Sequence, residues 1–212
     1  MHIPDGFISP QTYLPALALS GVLWAVAAKK IALEVEKIPL LGGVSAIAFV
    51  LMLIALPLPG GTTVHLGGVA IIALLFGPWT AFVALSMVLL LQALLFGEGG
   101  ITSYSVNVLA IAFGGSFSAY GTWYVLRRFK RVAMIASGFA ATIVPALIVA
   151  VALGIQPLIA SHDGRALYFP FDLHVTLPAV MLPHLFLGIV EGFVTLSAVT
   201  FLKSRFRNYF ES

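Results

Sequence analysis

Residues 132–155 read VAMIASGFAATIVPALIVAVALGI. No Asp, Glu, Lys or Arg interrupts the run, and Arg127, Arg128, Lys130 and Arg131 stand just before it. A helix rises about 1.5 Å per residue, so about 20 apolar residues cross the hydrocarbon core of a bilayer. The stretch reads as a membrane-spanning helix with its basic end at the cytoplasmic surface. The rest of the chain repeats the pattern. Of its 212 residues, 60% are hydrophobic and 9% charged, and the mean hydropathy is +1.07. A soluble domain is about a quarter charged, so the composition is that of an all-α polytopic membrane protein.

Seven apolar stretches are expected as the helices of a bundle: Tyr13–Leu33, Leu40–Leu56, His65–Phe76, Thr80–Phe96, Ser103–Leu126, Val132–Ile155 and Thr176–Leu202. The third is short for a crossing and reads as tilted, buried between neighbours, or half of a hairpin turning at Gly77-Pro78-Trp79. Ten of the eleven cations fall in three clusters: Lys29, Lys30 and Lys37; Arg127, Arg128, Lys130 and Arg131; Lys203, Arg205 and Arg207. Alternating spans put all three on one side. The positive-inside rule makes that side cytoplasmic, with the N-terminus outside and the C-terminus inside. The expected organisation is one integral membrane domain: an N-terminal arm (1–12), the bundle (about 13–203) and a cytoplasmic tail (204–212). The first apolar run follows no Lys or Arg, so it lacks the basic start of a secretory signal. His2, His65, His162 and His174 fall in outward segments, and His184 in the outer half of the last span.

The chain has no Cys, so a transition-metal site must use nitrogen or oxygen ligands. The start, MHIPDGF, concentrates nitrogen donors. The α-amine of Met1, the amide nitrogen of His2 and its Nδ1 can close fused five- and six-membered rings on one ion. The amide must lose its proton, which only a metal forming strong planar bonds to nitrogen repays. That geometry points to Ni(II) or Cu(II) rather than tetrahedral Zn(II). One corner of the square stays open, and His65, in the outward loop LPLPGGTTVHLGG (56–68), is the natural fourth ligand. Pro4 holds Ile3 extended, and Pro-Asp-Gly signals a turn. The arm is therefore expected to fold back into the bundle, anchored by Ile3 and Phe7. A lone terminal histidine is more often incidental, and it is the outward loop histidine that shifts the balance.

The stretches MHIPDGFIS (1–9), LPLPGGTTVHLGG (56–68), LLFGPW (74–79), LLLQALLFGEGGIT (89–102) and LPHLFLGIVEGFVT (182–195), in this order, resemble the CbiM/NikM family. These are the substrate-binding membrane components of energy-coupling-factor transporters for cobalt and nickel. The resemblance covers nearly the whole chain. It implies a seven-helix bundle, metal ligation by Met1, His2 and His65, and Ni2+ as the substrate ion with Co2+ as the alternative. The form MHIPDG looks more like the nickel branch. The implied partners are a membrane coupling subunit, two cytosolic ATPase subunits and a small accessory membrane subunit, within the plasma membrane of a prokaryote and with no nucleic acid. Two departures touch the surroundings of the ligands. Thr63-Val64 replaces a Ser-Gly type pair, and SVNVLAIAFGG (105–115) keeps Asn107 without a second Asn.

Asn107, Glu98 and Thr63 are the candidates to support the ligands. A carboxylate such as Glu98 can orient a metal-bound imidazole, although an outer-loop Glu is more often simply solvated. Gln92 reads as interhelical glue. Glu191 is the one acid inside a span, with His184 two turns earlier on the same face. They can form a proton relay or a buried structural contact, which keeps an intramembrane enzyme, channel or secondary transporter open as the competing reading. His162, Asp163 and His174 read as a solvated loop. The small pair Gly42/Ala46 can pack inside the bundle or against a partner. No GxxxxGK[ST] motif is present, so energy for uphill transport must come from outside the chain.

Overall fold

The computed structural model describes residues 2–31, 33–57 and 63–207. Met1, the tail beyond Arg207 and the tip of the 56–64 loop lie outside the described residues. The chain is mostly helical. Helix α1 (Pro10–Lys30) is followed by a 3-10 turn at Val35–Lys37 and α2 (Ile38–Leu53). A two-residue hairpin, β1 (Leu56–Pro57) with β2 (Thr63–Val64), leads into α3 (Val69–Phe76) and α4 (Pro78–Phe96). Next come α5 (Tyr104–Asn107), a π-helical segment (Val108–Gly115) and α6 (Ser116–Leu126). After a 3-10 turn at Arg127–Phe129 come α7 (Lys130–Gly154), α8 (Gln156–Ile159), a second small hairpin, β3 (Ser161–His162) with β4 (Arg165–Ala166), and α9 (Leu173–Arg205).

Among the described residues, five helical stretches are long and apolar enough to cross a membrane: Pro10–Lys30, Val35–Leu53, Pro78–Phe96, Tyr104–Ile159 and Leu173–Arg205. The fourth folds back on itself at the basic turn Arg127–Phe129. A Cβ at Gly114 would meet Ile148, one at Gly115 would meet Pro145, and Ser118 Oγ donates to Ala140 O, so its two legs run antiparallel. These spans expose much of their apolar surface, as lipid-facing helices do.

The His65–Phe76 stretch is corrected by the structure. His65 is not helical, and α3 begins at Val69 and has eight residues. At about 1.5 Å per residue it reaches less than half of a hydrocarbon core about 30 Å thick. Its first five residues, Val69 to Ala73, are buried, which is why the stretch is so apolar. The chain turns at Gly77 (φ +84°) into α4. The last helix starts earlier than expected, because the Asp172 carboxylate caps it by accepting from the amides of His174 and Val175 at 3.0 and 3.2 Å.

Gln92 behaves as glue, its Nε2 donating to Phe49 O at 3.0 Å and tying α4 to α2. Gly42 and Ala46 lie on an exposed face of α2 rather than inside the bundle. The contact between α7 and α9 is the most extensive between any two helices. Both elements bear on the site described next.

Candidate metal centre

The N-terminal arm is pinned by its own backbone. Asn107 Oδ1 accepts from Ile3 N at 2.9 Å, and Asn107 Nδ2 donates to Ile3 O at 3.1 Å. Gly100 N and Ser103 Oγ donate to the same carbonyl. Two residues on, the Asp5 carboxylate accepts from Ile101 N at 3.0 Å, from Thr102 N at 2.8 Å and from the Thr102 hydroxyl. The loop 98–103 thus wraps the arm as closely as a paired strand. Gly100 is required for the approach, since a Cβ there would run into the Asp5 nitrogen and carboxylate. On the other side Ser9 N donates to Gln156 Oε1 at 2.9 Å, and Phe169 N to Phe7 O at 3.2 Å. Ile3 and Ile8 are fully buried anchors, whereas Phe7 is half-buried against the Phe169 ring. Ile8 thus shares the anchoring role expected of Phe7.

This grip places His2 against His65. The two rings stack with centroids 4.7 Å apart and planes 20° apart. His2 is 3% exposed and His65 4%. Glu98 links the two segments, with Oε1 3.2 Å from His2 Nδ1 and accepting from Thr63 Oγ1 at 3.4 Å. His65 Nδ1 lies 3.2 Å from Leu66 O. Neither Nε2 has a hydrogen-bond partner among the described residues. Burial pushes both imidazoles below their ordinary range. Both are therefore neutral at physiological pH, the form that binds metals. The hydrogen bond to His2 holds Glu98 below the usual carboxylate range.

All of the expected residues but Met1 can be placed. His2, His65, Glu98, Thr63 and Asn107 converge, and Met1 lies outside the described residues. Among the described residues, no three histidine or carboxylate side chains are arranged to share an ion. Sequence reasoning missed Ser103, Gln156 and the part played by Asp5. Gln156 carried a signal, a lone amide at the end of an apolar run. Glu191 and His184 do not bond to each other. Glu191 accepts from the amides of Gly67 and Gly68, and His184 Nδ1 donates to Val180 O at 2.7 Å. His162 and Asp163 pair at 3.1 Å on an exposed hairpin, as a solvated loop would.

Two results are expected from the arm's grip. Asn107→Ala leaves the Ile3 amide without its partner in a buried setting, at a cost of about 1–3 kcal/mol. Metal affinity should fall by about tenfold, as when an outer-shell group is lost, with the same bound spectrum; titration of the purified variant measures it, and an unchanged affinity rejects the role. Asp5 supplies the pH dependence. Desolvation raises its pKa, but the Thr102 hydroxyl and the amides of residues 101–103 outweigh this and hold it below the ordinary value. A depressed folded-state pKa gives stability that is complete above the unfolded value, about 3.9, and is lost as pH falls through the folded one. The melting-temperature advantage of wild type over Asp5→Asn should therefore shrink below about pH 4. A gap constant from pH 6 to pH 3 would contradict it.

Comparison with known proteins gives the family. A family model described as "Cobalt uptake substrate-specific transmembrane region" matches residues 2–208. The chain is 40% identical over 215 residues to the fused nickel transport protein NikMN of Rhodobacter capsulatus, covering 96% of this chain and 62% of that one. It is 36% identical over 211 residues to the probable fused nickel transport protein LarMN of Lactiplantibacillus plantarum, covering 96% and 64%. The cobalt transport protein CbiM of Clostridium cellulovorans is 35% identical over 177 residues, covering 77% and 65%. The chain thus spans a little under two thirds of the length of these relatives. A crystal structure described as a truncated transition metal transporter superposes with a TM-score of 0.93 at 38% identity, covering 97% of this chain and 99% of that one.

Proposed function

Because the chain belongs to the CbiM family, whose model covers residues 2–208, we propose that it is the metal-binding membrane subunit of a nickel uptake transporter. The observation that carries this reading is the buried His2–His65 pair, stacked at 4.7 Å, with both Nε2 atoms unpartnered among the described residues. Burying two polar nitrogens without partners is costly; a cation on His65 Nε2 offsets one, and turning the His2 ring so that its Nε2 faces Glu98 while Nδ1 takes the ion offsets the other. Two of the relatives are named for nickel, which with MHIPDG favours Ni2+. Co2+ is the alternative, after the relatives named for cobalt.

The ligand set is Met1, through its α-amine, His2, through its amide and imidazole, and His65. The amine and the His2 amide complete with the two imidazoles a planar four-nitrogen site. Chelation by His2 uses Nδ1, the atom that lies 3.2 Å from Glu98 Oε1. A half turn about Cβ–Cγ frees Nδ1 for the ion and leaves Nε2–H on the Glu98 side, where the carboxylate fixes the ring. The bundle is read as seven helices with the N-terminus outside, which loads the site from outside the cell. With no nucleotide-binding motif in the chain, the subunit works with a membrane coupling subunit and two cytosolic ATPases. Release inward requires separating the arm from the His65 loop.

X-ray absorption on the nickel-loaded protein tests the site. Four short nitrogen distances in a plane, with diamagnetic Ni(II), are expected; six oxygen-rich ligands would reject it. Selectivity should follow the same geometry: Co(II) binds more weakly than Ni(II), and Zn(II), which prefers a tetrahedron, binds poorly. Equal displacement of Ni(II) by Zn(II) in a competition titration contradicts planarity. Reconstitution of this chain alone in liposomes tests the need for partners, since sustained uphill nickel uptake there would make it a transporter in its own right. The competing relay of His184 and Glu191 gains no support, since the two do not bond to each other and both Glu191 oxygens are engaged by backbone amides.

A further inference from the structure

Glu191 is the one carboxylate in the interior of a membrane-spanning stretch, since Glu36 stands at the very start of its own; Glu191 is 2% exposed and halfway along α9. An acid in that position costs several kcal/mol unless it is fully engaged. Its engagement is specific. Oε1 accepts from Gly68 N at 2.7 Å and Oε2 from Gly67 N at 3.2 Å. These amides belong to the segment that joins His65 to α3. Gly68, in the left-handed region at φ +62°, is the residue that starts α3, and it has no side chain to cap the helix. A carboxyl group from another helix does so, its two oxygens accepting from the amides at the start of α3. A Cβ on Gly67 would meet Met52 and one on Gly68 would meet Ala48, both of α2. Glu191 is a polar hold on the loop just behind the His65 ligand, and it lines the same small cavity as the His65 ring.

The height of Glu191 is set by backbone contact rather than by flexible side chains. A Cβ on Gly138 of α7 would sit 2.6 Å from Glu191 O and 2.7 Å from the Gly192 Cα, and one on Gly192 would sit 2.7 Å from Ile135 O. At this level α7 and α9 touch directly. The arm that carries His2, by contrast, is held by Asn107, Ser103, Gln156 and the loop 98–103. The two histidines thus hang from different elements.

We propose that Glu191 is a positioning residue that ties the His65 loop to α9, so that movement of α9 relative to the arm withdraws His65 from the bound ion. This rests on the metal-site reading given above. Glu191 does not touch the ion; it acts through His65. On release the carboxylate and the loop move together, and the terminal chelate is left with three donors.

The test is nickel titration of the purified full chain, followed by visible absorption of the bound Ni(II), for Glu191→Gln, His65→Ala and the double variant. Glutamine keeps one acceptor oxygen but faces the second amide with its own N–H. The expected loss of affinity for Glu191→Gln is about 10- to 100-fold, the range for groups that orient a ligand. Its bound spectrum should shift toward that of His65→Ala, which retains the terminal chelate. In the double variant the losses should not add, because the first change already disables the group the second removes. Full additivity, or a wild-type spectrum in Glu191→Gln, overturns the proposal. If the Gln variant does not fold, Glu191→Asp keeps the charge but is too short to hold both amides, and the same spectral shift is required of it. A His65→Ala protein that binds nickel like wild type refutes the metal site and the tether together. A normal His65→Ala defect with unaffected Glu191 variants refutes the tether alone.

Discussion

Acetylating the α-amine of Met1, or placing a tag of several residues ahead of it, is expected to abolish tight nickel binding and leave the bundle folded. The amine is one of two donors in the five-membered ring, and the His2 amide deprotonates only because a metal already anchored by the amine stabilises its anion. Block the amine and both donors go, leaving two imidazoles on separate segments. Linked donors exceed the affinity of separate ones by about 10²- to 10⁴-fold, and a loss of at least that size is expected. The fold should not suffer, because the backbone hydrogen bonds that pin the arm run from Ile3 onward. Melting temperature in the absence of metal should therefore match wild type, whereas the increase caused by nickel should vanish. Nanomolar-range binding by a fully acetylated protein, verified by intact mass, would remove the terminal chelate from consideration.

His65→Ala should also be severe, though less so. It deletes one monodentate donor and leaves the fused rings of the arm intact, with water taking the fourth corner. The loss should exceed the upper end for outer-shell groups, roughly a hundredfold, and so exceed that of Asn107→Ala. The bound spectrum separates the two variants: replacing an imidazole by water weakens the field on nickel and moves its absorption, whereas Asn107→Ala changes affinity without changing donors. His65→Ala also widens the buried space beneath Met52 and Val69. Addition of imidazole should restore part of the affinity if the deficit is the missing nitrogen, and none if it comes from a collapsed loop.

Much of this architecture was legible in the sequence because lipid imposes simple rules. A helix crossing hydrocarbon must be apolar along its length, and basic residues collect at its cytoplasmic ends, so α1, α2, α4, α7 and α9 stand near their expected positions. The α3 segment broke the pattern. Eight residues buried by protein are as apolar as eight buried by lipid, and hydropathy does not tell these surroundings apart. The candidate metal centre stood out for a different reason. The chelate proposed for Met1 and His2 is local covalent chemistry, and His65 drew notice as an imidazole in a loop expected to face outward.

What the sequence determined by itself was the material of the site and the solvent of the fold: nitrogen ligands with no thiolate, an apolar chain with its cations sorted, and a Pro-Asp-Gly turn behind the first histidine. Only the tertiary structure decided what holds these pieces in register. Asn107 and Ser103 reach Ile3 across about a hundred residues of chain, and Glu191 reaches Gly67 and Gly68 across more. The recurring acceptors and donors at the other end are backbone groups, which every residue carries alike, so no side-chain pattern announces them. Which buried carboxylate meets which pair of amides depends on how closely α7 and α9 approach at Gly138 and Gly192, and that is a property of packed surfaces rather than of any local stretch of chain.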